Sequence, residues 1–241
     1  MSKLVESARI AVSDIGSGNT VAVGGFGLCG IPSTLIKALL EQGTEGLEVV
    51  SNDCGVYGQG LGMLLDAGRI SRVTASYVGE NKEFARQYLS GEFEVELTPQ
   101  GTLAERLRCG GAGIGGFYVP AGTGTAVQDG GLPWRYNTRG EVEVASSPKE
   151  VRAFDGVPMV LETGIRTDFA LVRAAVADTA GNARFNLSAS NFNPLAAMAG
   201  RMTILEAEKV VEAGQLGPDN IHLPGIFVHR IVQLTPRAGA R

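Results

Sequence analysis

Cysteine and histidine are scarce in this chain of 241 residues. The three cysteines, Cys29, Cys54 and Cys109, are odd in number and form no Cys-x-x-Cys pair. They suggest neither a disulfide framework nor a zinc site, and fit a reducing, cytoplasmic setting. The two histidines, His222 and His229, flank Pro224 and do not share a helix face. A catalytic triad or a metal centre is a poor reading of so few, and both are expected to be structural or interface residues. Positive charge is not in excess either: 21 Lys and Arg stand against 25 Asp and Glu. That removes the basic field that nucleic acid or an anionic membrane would need. No apolar run approaches the ~20 residues of a membrane span. The opening Met1 to Ile10 carries Lys3, Glu6 and Arg9 and lacks the apolar core of a signal peptide.

Glycine is the abundant residue, with 34 copies, about twice the usual ~7%. The copies cluster between apolar runs, where a backbone turns sharply or approaches a ligand. Hydrophobic residues make up 44%, and a chain of this length forms one domain without staples.

The apolar runs alternate in kind. Leu4, Ala8, Ala11, Val12 and Ile15 mark one face of an opening helix. Thr20 to Val23 reads as a buried strand, followed by the loop Gly24-Gly25-Phe26-Gly27-Leu28-Cys29-Gly30. Pro32 suits a helix first turn, and Leu35, Ile36, Leu39 and Leu40 form that helix's apolar face. Strands follow at Leu47 to Val50, within Ile70 to Val78, and at Phe93 to Leu97. Helices are expected from about Asn81 to Leu89 and from Thr98-Pro99 onward, with Thr98 as cap. This is the signature of an open, mostly parallel sheet flanked by helices. After Cys109 the pattern breaks into glycine-rich stretches, and Val142 to Ala145 reads as antiparallel. Residues 116–150 are expected to form a small lid-like excursion within a single domain. Later strands are expected at Pro158 to Leu161, Phe169 to Ala177, Thr203 to Glu206 and Val228 to Gln233, with a hairpin turn at Ala180-Gly181-Asn182. Residues 235–241 read as a frayed, disordered tail.

In a parallel sheet, ligands sit beyond the carboxyl ends of the strands. Gly24 to Gly30, Ser51 to Gly55 and Thr98 to Gly101 leave such ends, so the glycine loop, Asn52 and Gln100 are expected on one rim. The amides opening the helix near Pro32 would favour an anion in the same cleft. A plainer reading makes the glycines a tight strand-to-helix turn, Asn52 a turn residue and Gln100 a first-turn helix residue. Gly25-Phe-Gly27-Leu-Cys-Gly30, with Asp53 some twenty residues on, also satisfies the dinucleotide fingerprint on paper. That keeps an NAD-dependent oxidoreductase as an alternative, although Pro32 directly beyond the loop and the lack of a plausible catalytic His or Tyr–Lys pair argue against it.

The longer string Val21-Ala-Val-Gly-Gly-Phe-Gly-Leu-Cys-Gly-Ile-Pro32 resembles the first signature of family I coenzyme A transferases, with Ser17 where the pattern has Asp or Asn. Tyr77-Val-Gly-Glu-Asn81, Arg86-Gln-Tyr-Leu-Ser-Gly-Glu92 and Glu96-Leu-Thr-Pro-Gln-Gly-Thr-Leu-Ala-Glu-Arg106 are similar to A subunits of its 3-oxoacid branch. So are Asp168-Phe-Ala-Leu-Val172, Asn191-Phe-Asn193 and Ile221-His-Leu-Pro-Gly-Ile-Phe-Val-His-Arg230.

The resemblance implies a coenzyme A transferase/sugar-phosphate isomerase-like fold. It implies CoA transfer from succinyl-CoA to a 3-oxoacid such as acetoacetate, with acetate, butyrate or 3-oxoadipate as other acids. A glutamate attacks the acyl-CoA and becomes a glutamyl-CoA thioester. In the family that glutamate lies in a Ser-Glu-Asn-Gly string of a B subunit, and the string is absent here. The implied assembly is therefore A2B2, with the CoA thioester as substrate and neither metal nor resident cofactor. Gly24, Gly25, Phe26, Gly27, Leu28, Cys29 and Gly30 match the CoA-binding stretch. Asn52 matches an oxyanion donor, and Gln100 a glutamine near the acyl group. Asp53 stands where relatives often carry a second asparagine, and would repel an acid substrate unless hydrogen-bonded away. Glu80 matches an A-half string and, read alone, is a helix-starting glutamate. Glu96, Glu105 and Glu162 have nothing nearby in sequence to mark a reactive carboxylate.

Overall fold

The computed structural model describes residues 2–79 and 81–235. Glu80 and the tail beyond Thr235 lie outside the described residues.

The first half alternates strand and helix. α1 (Ala8–Ala11), β1 (Thr20–Val23), α2 (Ser33–Gln42), β2 (Leu47–Val50), α3 (Gly62–Asp66), β3 (Ile70–Ala75), α4 (Lys82–Leu89), β4 (Glu94–Leu97) and α5 (Gln100–Ala112) follow in order. The chain then leaves the sheet through β5 (Gly116–Val119), α6 (Ala126–Asp129), β6 (Pro133–Tyr136), β7 (Val142–Ala145), β8 (Val151–Phe154) and β9 (Val157–Thr163). It returns with β10 (Thr167–Asp178), β11 (Ala183–Arg184), α7 (Asn193–Ala199), β12 (Gly200–Val211) and β13 (Arg230–Gln233).

The main sheet runs β13-β12-β10-β1-β2-β3-β4, with β11 added to β10. All pairs along it are parallel, and β10–β11 is the expected hairpin around Ala180-Gly181-Asn182. The first four strands build outward on one side of β1, and β10, β12 and β13 fill the other. The winding therefore reverses between β1 and β10, where loops on the carboxyl rim part and leave a crevice. The Gly24–Gly30 loop leaves β1 at this point.

Side chains alternate faces along each strand. Val21, Val23, Val49 and Val73 join a core with Leu35, Ile36, Leu39 and Phe84 from α2 and α4. Ala22, Val50, Ala170 and Val172 join a second core with Leu103 and Leu107 of α5 and Ala196 and Ala197 of α7. Both faces are thus covered, as parallel strands require.

Several expectations change. The opening helix is a single turn, and Leu4 instead bridges Ile231 of β13. Thr98 does not cap α5: its hydroxyl takes a bond from Arg106 Nη1 at 3.3 Å, while Asn81 does cap α4 through Phe84 N at 3.1 Å. α3 and α7 have five and seven residues, too short for a periodic apolar face to declare them. The antiparallel excursion extends past residue 150 to Thr163, because β5 pairs with β9 and β9 with β8, while β6 pairs with β7. Pro158 to Leu161 belongs to this small sheet. The excursion packs along the β4 edge: Tyr88 donates to Pro133 O at 2.6 Å, and Arg72 stacks over Trp134 at 4.8 Å. Arg106 Nε donates to Thr163 O at 3.0 Å. The excursion therefore sits three strands from β1.

Candidate functional site

Two glycine loops with the same plan form the rim. Phe26 and Cys29 exchange backbone hydrogen bonds at 3.0 and 2.9 Å, closing the first loop into a miniature hairpin. Val56 and Gln59 form the same kind of bridge in the second. Gly25, Gly27, Gly30, Gly55, Gly58 and Gly60 all have positive φ, which an L side chain adopts only with strain. The tips carry exposed Phe26, Leu28 and Tyr57. Sequence reasoning stopped the second loop at Gly55. The signal for its continuation was Gly58-Gln59-Gly60, since Gly55 and Gly60 repeat the separation of Gly25 and Gly30.

Asp53 ties the two loops together. Its Oδ2 accepts Gly27 N at 2.7 Å and Asn52 Nδ2 at 2.9 Å, and its Oδ1 accepts Gly55 N at 3.0 Å. The carboxylate is thus taken up by three donors within the rim itself. The same bonds take three of its roughly four acceptor positions, which weighs against the dinucleotide reading.

Asn52 is fully buried and links Asp53 to the far side of the rim. Its Oδ1 accepts Gln100 Nε2 at 2.7 Å and Ser76 Oγ at 2.8 Å. A chain of bonds thus runs Gln100–Asn52–Asp53–Gly27, joining residues that come from the ends of β4, β2 and β1. Asn52 orders its neighbours, and one of its two Nδ2 hydrogens is committed to Asp53. Gln100 is exposed at the surface end of this chain.

The amino terminus of α2 is not open to a ligand anion. Glu206 of β12 fills it: Oε2 accepts Thr34 N at 2.9 Å and Leu35 N at 3.0 Å. Arg173 Nη1 lies 3.5 Å from the other oxygen. Burial pushes the Glu206 carboxyl up to about 7, against the pull of the Leu35 amide and Arg173. Sequence reasoning missed Glu206 because the chain separates it from α2 by 172 residues. Between the two loops and α2 lies a cleft of about 980 Å³, lined by Leu28, Ser33, Gly58, Met63, Arg173 and Glu208 among others.

The remaining candidates are structural. His222 Nδ1 accepts Phe185 N at 3.2 Å, and His229 Nδ1 accepts Thr203 N at 3.0 Å. Glu96 and Glu162 pair with Arg106, Arg72 and Lys149 beneath the excursion, and Glu105 pairs with Arg108 on the exposed side of α5. Cys54 and Cys109 are buried, and Cys29 is exposed beside Ser188. Among the described residues no cluster of His, Cys, Asp or Glu could hold a metal. No helix among them is long and apolar enough to cross a membrane.

Fold and rim define an α/β protein whose site, at the reversal of a doubly wound sheet, is built from backbone amides and carboxamides. The coenzyme A transferase family model matches residues 5–234, and the chain belongs to that family. It is 61% identical over 234 residues to a Mycobacterium tuberculosis protein described as the probable A subunit of succinyl-CoA:3-ketoacid coenzyme A transferase, covering 97% of this chain and 94% of that one. A Bacillus subtilis protein of the same description is 53% identical, covering 96% and 90%. The human mitochondrial succinyl-CoA:3-ketoacid coenzyme A transferase 2 is 52% identical, but the match takes in 92% of this chain and only 43% of the human one. Among solved structures, an acyl-CoA transferase from Escherichia coli O157:H7 superposes with TM-score 0.81 at 23% identity, covering 99% of this chain and 48% of that one. The chain spans about half the length of that structure. Glutaconate coenzyme A-transferase from Acidaminococcus fermentans gives TM-score 0.78 at 19% identity, covering 96% and 75%. These two establish the fold.

Proposed function

We propose that this chain is the A half of a heteromeric CoA-transferase that moves CoA from succinyl-CoA to a 3-oxoacid such as acetoacetate. A B subunit supplies the attacking glutamate, and the assembly is A2B2 in the cytoplasm. The CoA thioester is the substrate, and no resident cofactor takes part. The observation that carries this reading is the state of Asp53. The carboxylate at the centre of the rim already accepts three hydrogen bonds, which stabilise its charge and weaken it as a nucleophile, while the groups around it are donors. Such a surface can hold a thioester and steady a developing oxyanion but needs a nucleophile from elsewhere. The named relatives support the same division, since proteins described as A subunits match this chain over nearly their whole length, whereas the human chain is about twice as long.

Each site residue then has a role. The loop Gly24 to Gly30 contacts the acyl-CoA. Asn52, buried in this chain alone, serves the oxyanion with its second Nδ2 hydrogen once the rim opens to substrate in the assembled enzyme, and exposed Gln100 meets the acyl or acceptor carboxylate. Asp53 holds Asn52 and Gly27 in place. The test is reconstitution. The purified chain alone should give no CoA exchange between succinyl-CoA and acetoacetate, and adding a B subunit bearing Ser-Glu-Asn-Gly should restore it. Full transfer by the single chain, or a hydroxylamine-sensitive acyl adduct on one of its own glutamates, would defeat the proposal.

A further inference from the structure

The carboxyl half of the Gly24–Gly30 loop is held from outside by a segment about 160 residues further along the chain. Asn193 opens α7 and is fully buried. Its Nδ2 donates to Gly30 O and Ala189 O, both at 2.9 Å, and its Oδ1 accepts Arg173 N at 3.0 Å. Asn191 lies two residues earlier. Its Nδ2 donates to Cys29 O at 3.1 Å and Ser188 O at 2.9 Å, while its Oδ1 accepts Phe192 N at 2.7 Å. The two amides commit all four of their hydrogens, and each commits one to a loop carbonyl.

The loop is shaped to receive them. A Cβ on Gly24 would overlap the Asn193 carboxamide, and a Cβ on Gly30 would stand 2.8 Å from Asn193 Nδ2. Asn193 thus excludes any side chain at Gly24, and at Gly30 it joins Ala189 O, also 2.8 Å away, and a positive φ in doing so. In a planar trans peptide the carbonyl of one residue points opposite the N–H of the next. Turning Cys29 O, which also accepts Phe26 N at 3.0 Å, and Gly30 O toward the asparagines turns the Gly30 and Ile31 amides the other way. Neither amide has an acceptor among the described residues.

We propose that Asn191 and Asn193 are positioning residues: by clamping Cys29 O and Gly30 O they present the Gly30 and Ile31 amides as donors to an oxygen of the bound acyl-CoA. The inference rests on the reading of this loop as an acyl-CoA contact. It assigns to the Asn191-Phe-Asn193 string a task at a distance, with no substrate contact of its own.

The test is made in the enzyme reconstituted with its B subunit. Asn191→Ala removes one clamp bond at a half-buried position, where the fold tolerates truncation. The Michaelis constant for acyl-CoA should rise about fivefold, the loss expected for about one hydrogen bond. The turnover number and the Michaelis constant for the acceptor acid should stay within about twofold. Amide hydrogen exchange over residues 24–31 should accelerate. Asn193→Ser, which keeps a small polar group, should do both more strongly. Phe84→Ala, in the core on the other sheet face, should lower stability without moving the Michaelis constant for acyl-CoA. Unchanged loop exchange in both asparagine variants would overturn the clamp. Faster loop exchange with an unchanged Michaelis constant would overturn the donor assignment, and would place the fault in the acyl-CoA reading of the loop.

Discussion

Replacing Glu206 by Gln should change how this protein's stability responds to pH. The wild-type carboxyl is fully buried against the amino terminus of α2, and burial raises it from 4.5 to about 7. A carboxyl raised by that amount is about 3 kcal/mol costlier to ionise in the fold than in the unfolded chain. The sign follows from which state holds the proton. Below pH 4.5 the group is neutral in both states and its full contribution to stability is present. As pH climbs through 7 the folded state must give up a proton it binds more tightly, and the contribution is lost. Glutamine does not titrate, and its carbonyl can still accept the Thr34 and Leu35 amides. His229 has the opposite sign: burial, then Lys3 and Arg230, lower it, so its contribution is lost as pH falls. Both proteins carry His229, so it cancels in their difference. Urea unfolding from pH 5 to pH 8 should show wild type losing about 2.5 kcal/mol relative to Glu206→Gln. In melting temperature the gap should widen by roughly 5–10 °C for a domain of this size. Parallel stability curves for the two proteins across this window would refute the reasoning.

Two further outcomes test the packing. Iodoacetamide should modify Cys29 alone in the native chain and all three cysteines in urea. Cys29 is exposed, Cys54 and Cys109 are buried, and burial, with Asp53 and Asp66 adding to it, pushes the Cys54 thiol up. Labelling of Cys54 as fast as Cys29, read by mass spectrometry, would contradict the placement of the second loop. Phe84→Ala removes a ring that meets Phe93 edge to face at 4.9 Å, both fully buried. It should cost about 3–5 kcal/mol in urea unfolding, and a loss under about 1 kcal/mol would mean that the α4 core is not packed as described.

Much of this protein is written in local pattern. The strands at Thr20–Val23 and Leu47–Val50 and the helix at Ser33–Gln42 were legible because apolar period and turn residues report on neighbours a few positions away. The rim grouping was also legible, since strands ending in Gly24, Ser51 and Thr98 share a carboxyl edge whenever they lie parallel. The glycine string and its flanks carried the family. Antiparallel pairing in the excursion was readable from Val142 to Ala145, but its docking on β4 was not, because Arg72–Trp134 and Tyr88–Pro133 are contacts between distant segments.

Chemistry on the rim was decided by the tertiary structure. Asp53 appeared in sequence as a threat to an acid substrate, and only the approach of Gly27 and Gly55 turned it into a brace. The start of α2 looked open to an anion until β12 brought Glu206 against it. Asn193 had no role until its amide met Gly30, 163 residues before it. Propensity and periodicity act over a turn or a strand, so sequence alone determined which elements form and which loops gather at one edge. Hydrogen-bond satisfaction is settled between segments that meet only on folding, so the tertiary structure alone decided which polar groups are spent and which remain free to bind.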